Sequence, residues 1–405
     1  MSGYIMNLGT IEQRAGREKL ELYCRYGAYG TLIERPSEDS WHHTRERILA
    51  DYVTVRPGAL VFFFLGRNIY GVGRVVGFDV EEQQLAALSN YPGASFPHAT
   101  TPQNPDDYLW RENGEENLRW VIFFEPHPYF FKTGLDMDEV LASDVKGVVR
   151  SLRIFERVSF IQMEDEETQV ILDLLLRRNE DILNGYPFPD QVFDSRAEQI
   201  HTRVREHDLT RYQIDLDGLI RKHAKRDGSV GHEALVHAWL TNALTQRQEQ
   251  AVRIFGNWDY VTNQYPASPQ KPVQFMDRID IFGYVEKRIS QEASPTVVRY
   301  KIVEIKKGKV ATEEGINQLI KYVDWVAHTR AGGDYSLVDA YFVAHDYADD
   351  VVQYVQSTLP KDFVTPRRPY APAQWKQLEL IRYTYTGGTP ALELQRHYPS
   401  EVKEQ

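Results

Sequence analysis

Two short apolar runs in the second half of this 405-residue chain are interrupted by ionisable groups. Ile279-Asp280-Ile281 carries one carboxylate, and Val303-Glu304-Ile305-Lys306 carries another, followed two residues later by an ammonium. In a β-strand, residues two apart project from the same face, so Glu304 and Lys306 point together. If the two runs are neighbouring strands, Asp280 joins them. Two carboxylates are the hard oxygen ligands that Mg²⁺ or Mn²⁺ requires. Such a cation neutralises phosphoryl oxygens and acidifies bound water, while the ammonium positions or activates the attacking water, which together make a hydrolytic centre for phosphodiesters. The alternative is a structural salt-bridge cluster, but three such groups inside apolar strands are costly to bury without a ligand.

The elements that must position these groups follow from periodicity. A helix is predicted over Glu233–Gln246, then strands near Asp259–Asn263, at Arg278–Val285 and at Val298–Ile305. A helix at Glu313–Ala327, a strand at Leu337–Val343, a helix at Ala348–Thr358 and a strand at Leu378–Tyr385 complete a mixed sheet flanked by helices. His232 and His237 lie five apart, off a common helix face, and read as surface or packing residues. The first half differs. Val53–Gly77 reads as a β-hairpin, with strands Val61–Leu65 and Tyr70–Val76 around turn chemistry at Gly66–Asn68. The polar stretch 79–118 reads as an elaborated surface loop, Trp120–Phe124 as a strand, and Asp165–Arg178 as an amphipathic helix through Val170, Ile171, Leu174 and Leu175.

Length alone calls for more than one core. The expected organisation is a tail over 1–19, a first domain over 20–180, a helical connector over 181–228 and a second domain over 229–405, in the α/β and α+β classes. A formal net charge of -11 argues against a generally basic coat, so any nucleic-acid contact must be local. Cys24 is the only cysteine, which excludes an intrachain disulfide and a thiolate zinc site and suits a reducing cytoplasm. No apolar run approaches the roughly 18 residues of a membrane span, so no membrane partner is expected. A homo-oligomer is the expected assembly.

The residues from Arg278 to Val285 (RIDIFGYV), from Tyr300 to Gly308 (YKIVEIKKG) and from Gly315 to Val326 (GINQLIKYVDWV) resemble the PD-(D/E)xK nuclease superfamily, closest to its RecB-like and NucS-like branch. The resemblance covers roughly 229–360, with Ile279 where the superfamily often has proline. It implies a restriction-endonuclease-like fold and a Mg²⁺- or Mn²⁺-dependent nuclease centred on Asp280, Glu304 and Lys306. Gln318 would face the site, with Tyr322 one turn later and Glu233 as the acidic residue of the preceding helix. Lys307 and Lys309 are candidate phosphate contacts, or an exposed basic turn.

The run from Arg56 to Val76, with 119–126 and 157–172, is similar to EVE and YTH domains of the PUA-like class, although Gly58-Ala59 replaces the usual Gly-Asp. This second resemblance covers about 25–178. It implies a small β-barrel that reads a modified base of DNA or RNA in an aromatic cage. Trp41, Trp110 and Tyr29 are the cage candidates, with Arg67 or Arg74 for phosphate; the alternative is that these aromatics fill the barrel core. The expected function is a modification-directed DNA endonuclease of prokaryotic defence. A NucS-like repair nuclease for mismatched or branched DNA and a non-catalytic binding module are the alternatives, and RNA stays open as a substrate.

Overall fold

The computed structural model describes residues 3–8, 13–32, 48–81, 83–94, 102–111, 118–126, 130–143, 148–153, 160–185, 196–267, 277–288, 290 and 295–397. The chain is a mixed α/β protein that divides into two compact units, Met1–Asp215 and Leu216–Gln405. Among the described residues no helix is long and apolar enough to cross a membrane.

The first unit is built on strands β1 (Gly3–Asn7), β2 (Ala28–Leu32), β3 (Leu60–Leu65), β4 (Asn68–Val75), β5 (Phe78–Val80), β6 (Gln83–Leu85), β7 (Ala87–Ser89), β8 (Leu118–Glu125), β9 (Phe131–Asp136) and β10 (Phe160–Met163). The predicted hairpin is present as β3 and β4, and Gly66 and Arg67 turn it with φ of 52° and 70°. Two successive positive φ values give the turn whose twist matches paired strands, and glycine takes the first without strain. The main sheet runs β10-β1-β3-β4-β8-β2, with β7 on β8 and β9 on β4. Where the resemblance implies a small β-barrel, the described pairings form a path whose end strands approach through Tyr29 and Phe160, with ring centroids 6.4 Å apart.

Three boundaries depart from expectation. Residues 1–19 are not all tail, because β1 pairs in parallel with β3 and antiparallel with β10, burying Tyr4, Ile5 and Met6 completely. The 79–118 stretch contributes β5, β6 and β7 and buries Tyr91, Tyr108, Leu109 and Trp110, so it is not a surface loop throughout. The connector is divided: helix Ala197–Arg205 lays buried His201 and Val204 against the first unit, where His201 packs on Phe78 and Phe123. Helix Leu216–His223 belongs to the second unit, where Asp217 accepts from Trp239 Nε1 at 3.1 Å.

The second unit holds a six-stranded sheet of β11 (Tyr260–Pro266), β12 (Arg278–Lys287), β13 (Thr296–Val310), β14 (Val338–Tyr347), β17 (Leu378–Tyr385) and β18 (Leu392–Arg396), in that order. Strands β15 (Lys361–Val364) and β16 (Pro372–Trp375) form a separate hairpin. The β13–β14 and β14–β17 pairs are parallel, so each needs a crossover, supplied by helices Glu314–Thr329 and Asp349–Thr358. Their apolar stripes, including Ile316, Leu319, Val323 and Val351, meet Phe282, Ile302, Phe342 and Leu380 in one core. Helix Glu233–Thr245 packs on β11, β12 and β13. Every predicted helix and strand of this half is present, with strand ends moved by up to five residues.

Candidate active site

Strands β12 and β13 pair antiparallel in the register Ile281↔Val303, and continuing that register by one residue sets Asp280 opposite Glu304. The ladder stops there because Asp280 intrudes on it: Oδ2 accepts the backbone N–H of Ile305 at 2.9 Å. Gly283 permits the close packing behind, since a Cβ on it would lie 2.2 Å from the Tyr260 carbonyl oxygen. Glu304 is 1% exposed, and its Oε1 accepts from Lys306 Nζ at 2.6 Å. Its other oxygen, Oε2, is buried and meets no hydrogen-bond donor among the described residues. Asp280, Glu304 and Lys306 are therefore brought together as the spacing predicted.

The electrostatics follow from this packing. Burial, reinforced by the Asp280 charge and only partly offset by Lys306, pushes the Glu304 carboxyl up to about 8. Burial alone would lower the Lys306 ammonium, but Glu304 and Asp280 outweigh it and hold the group above its ordinary value. Glu233 opens its helix and is raised by burial and by Asp280, against the pull of Lys306 and of the nearby Lys307 backbone. Gln318 Nε2 donates to Tyr322 Oη at 2.6 Å, which leaves its second N–H and its Oε1 uncommitted by that bond. Burial, together with the Glu304 and Asp280 charges, raises that phenol to about 12.

The remaining candidates lie outside this centre. Lys307 has an exposed side chain, while its carbonyl accepts from Tyr383 Oη. Lys309 sits 3.5 Å from Asp346, which Arg382 also approaches at 3.2 Å, so its charge is partly matched within the protein. His237 is buried, and His232 packs edge-on to His223. In the first unit, Arg67 pairs with Asp138 at 2.6 Å and Arg74 is exposed opposite Glu125. Tyr29 and Trp110 are not surface aromatics: both pack on the buried ring of Tyr23, with centroids 5.4 and 5.5 Å away. This is the core-filling alternative, and it leaves Trp110 Nε1 without a hydrogen-bond partner among the described residues. Trp41 lies outside the described residues.

Whether the donor set fits a divalent cation can be judged from Glu304 itself. A carboxyl oxygen that is buried beside a second carboxylate and meets no donor among the described residues suits a hard cation able to displace its proton. Among the described residues no group of three His, Cys, Asp or Glu is arranged as a ready metal cage. Two carboxylates are nonetheless enough for Mg²⁺, which keeps several of its waters. Sequence reasoning missed Gln264, whose Nε2 donates to Asp280 Oδ1 at 3.1 Å, and Tyr383, which anchors the turn after Lys306. No family model and no curated protein matches this chain. A solved crystal structure of a Pseudomonas putida protein, a target of the Northeast Structural Genomics Consortium, aligns at 16% identity over 43% of this chain and 99% of that chain, with a TM-score of 0.27.

Proposed function

We propose that the second unit is a Mg²⁺- or Mn²⁺-dependent DNA endonuclease with a restriction-endonuclease-like core of the PD-(D/E)xK kind. The observation that carries this reading is the buried Oε2 of Glu304, which meets no donor among the described residues, beside Asp280 and Lys306. Asp280 and Glu304 hold the cation, which when bound supplies charge neutralisation at the phosphoryl oxygens and a more acidic water. Lys306, whose Nζ lies 2.6 Å from Glu304 Oε1, donates a hydrogen bond and positive charge toward the attacking or leaving oxygen. Tyr383 donates to the Lys307 carbonyl and thereby fixes the start of the bulge that follows Lys306, with Glu233 close to the same peptide. The first unit acts as an EVE-like reader that directs cleavage to modified DNA in prokaryotic defence.

The test is cleavage of DNAs differing only in base modification, with Mg²⁺ or with chelator. Parent protein cuts, Asp280→Ala and Glu304→Ala do not, and Lys306→Ala cuts about 10²–10³-fold more slowly. Equal cutting by all three variants would remove the assignment. A fragment 1–215 that binds neither modified nor plain nucleic acid would remove the reader.

A further inference from the structure

We infer that Gln264 is a positioning residue for Asp280, a role that rests on the metal-centre reading above. The β11–β12 pairs Asn263↔Ile281 and Tyr265↔Ile279 bracket it, so Gln264 lies directly across from Asp280. Its backbone is left-handed, with φ of 49°, a conformation that side chains other than Gly, Asn and Asp adopt rarely. The kink resets the alternation of the strand. Tyr260 and Tyr265, five residues apart, would face opposite ways in a regular strand, yet they stack on Tyr284 and Phe282 in the same core.

What the kink delivers to the site is an amide. Gln264 Nε2 takes one lone pair of Asp280 Oδ1 at 3.1 Å, and the Ile305 N–H takes one of Oδ2 at 2.9 Å. Each oxygen retains a second lone pair, so both remain able to ligate while the carboxylate is held from rotating toward Lys306. Donors of this kind orient metal ligands, and their loss weakens metal affinity by about 10–100-fold.

Glycine separates the amide from the kink, because it accepts the left-handed backbone freely. Full-length parent, Gln264→Gly and Asp280→Ala are compared for Mn²⁺ affinity by calorimetry and for melting temperature without metal. Gln264→Gly is expected to bind Mn²⁺ about 10–100-fold more weakly with an equal or higher melting temperature. A purely structural residue moves the melting temperature and leaves the affinity alone. Should the glycine variant fail to fold, Gln264→Asn replaces it, since asparagine tolerates the same backbone and its shorter side chain withdraws the amide. Affinity within twofold of the parent, while Asp280→Ala loses binding, overturns the positioning role alone. If Asp280→Ala binds Mn²⁺ as the parent does, the metal centre is refuted and the positioning role with it.

Discussion

Replacing Glu304 with Gln should stabilise the metal-free protein at high pH while removing its metal binding. The folded carboxyl titrates at about 8, against an ordinary value of 4.5. Between those values the folded state holds a proton that the unfolded state has lost, so stability declines as pH rises through the window. The ceiling on that decline is about 5 kcal/mol, from ~1.4 kcal/mol per pH unit across the window, and water entry and side-chain relaxation reduce it to a few. Glutamine has the shape of glutamate and no charge to desolvate, so its stability should be flat across the same range. For a unit of this size each kcal/mol moves the melting temperature by roughly 2–4 °C. Thermal melts in chelator should therefore coincide for parent and Glu304→Gln at pH 4.5 and separate by roughly 5–10 °C at pH 9, with the variant higher. Calorimetry at pH 8 should find no Mn²⁺ binding by the variant. Parallel parent and variant curves at every pH would refute the burial argument.

Lys306→Ala should retain Mn²⁺ binding yet lose about 10²–10³-fold in plasmid cleavage, because the ammonium stabilises charge without ligating metal; loss of Mn²⁺ binding instead would make it a structural counter-ion. A fragment ending at 180 should melt well below one ending at 215, since it uncovers Phe78 and Phe123 and discards buried His201 and Val204, at roughly 1.5–3 kcal/mol for each large apolar side chain. Equal melting temperatures would return the boundary to 180. Trp110→Phe should shift melting by only a few degrees, because it removes a buried N–H that meets no acceptor among the described residues while keeping a ring against Tyr23. A large drop would mean that the indole nitrogen has a partner.

The second unit was legible because its groups break a pattern. Asp280, Glu304 and Lys306 stand out as ionisable residues in apolar runs, and the helix Glu314–Thr329 repeats its apolar positions at helical spacing. What was hidden depends on pairing between distant segments. The five residues of β1 look like any short apolar stretch, and only their placement between β3 and β10 makes them central. Helix Ala197–Arg205 is mostly polar, and nothing in its composition says which unit its buried face covers. Aromatics are ambiguous for a related reason: Tyr29 and Trp110 fill a ring cluster that closes only when β2, the helix Gln13–Tyr26 and the segment before β8 converge. Gln264 gave no signal at all, because its importance comes from the register β11↔β12 and from a backbone angle.

Two residues with a local conflict both touch this one carboxylate neighbourhood. Glu304 would be more stable as glutamine, and Gln264 would sit more easily as glycine, yet one lies opposite Asp280 on β13 and the other opposite it on β11. A salt-bridge cluster kept for stability gives no reason for either, since each departure weakens the metal-free protein. A divalent cation would give a reason for both: it would partner the Glu304 Oε2 that meets no donor among the described residues, and it would use the Asp280 orientation that the Gln264 amide secures. Local conflicts that converge on adjacent positions are the pattern the proposed metal centre accounts for.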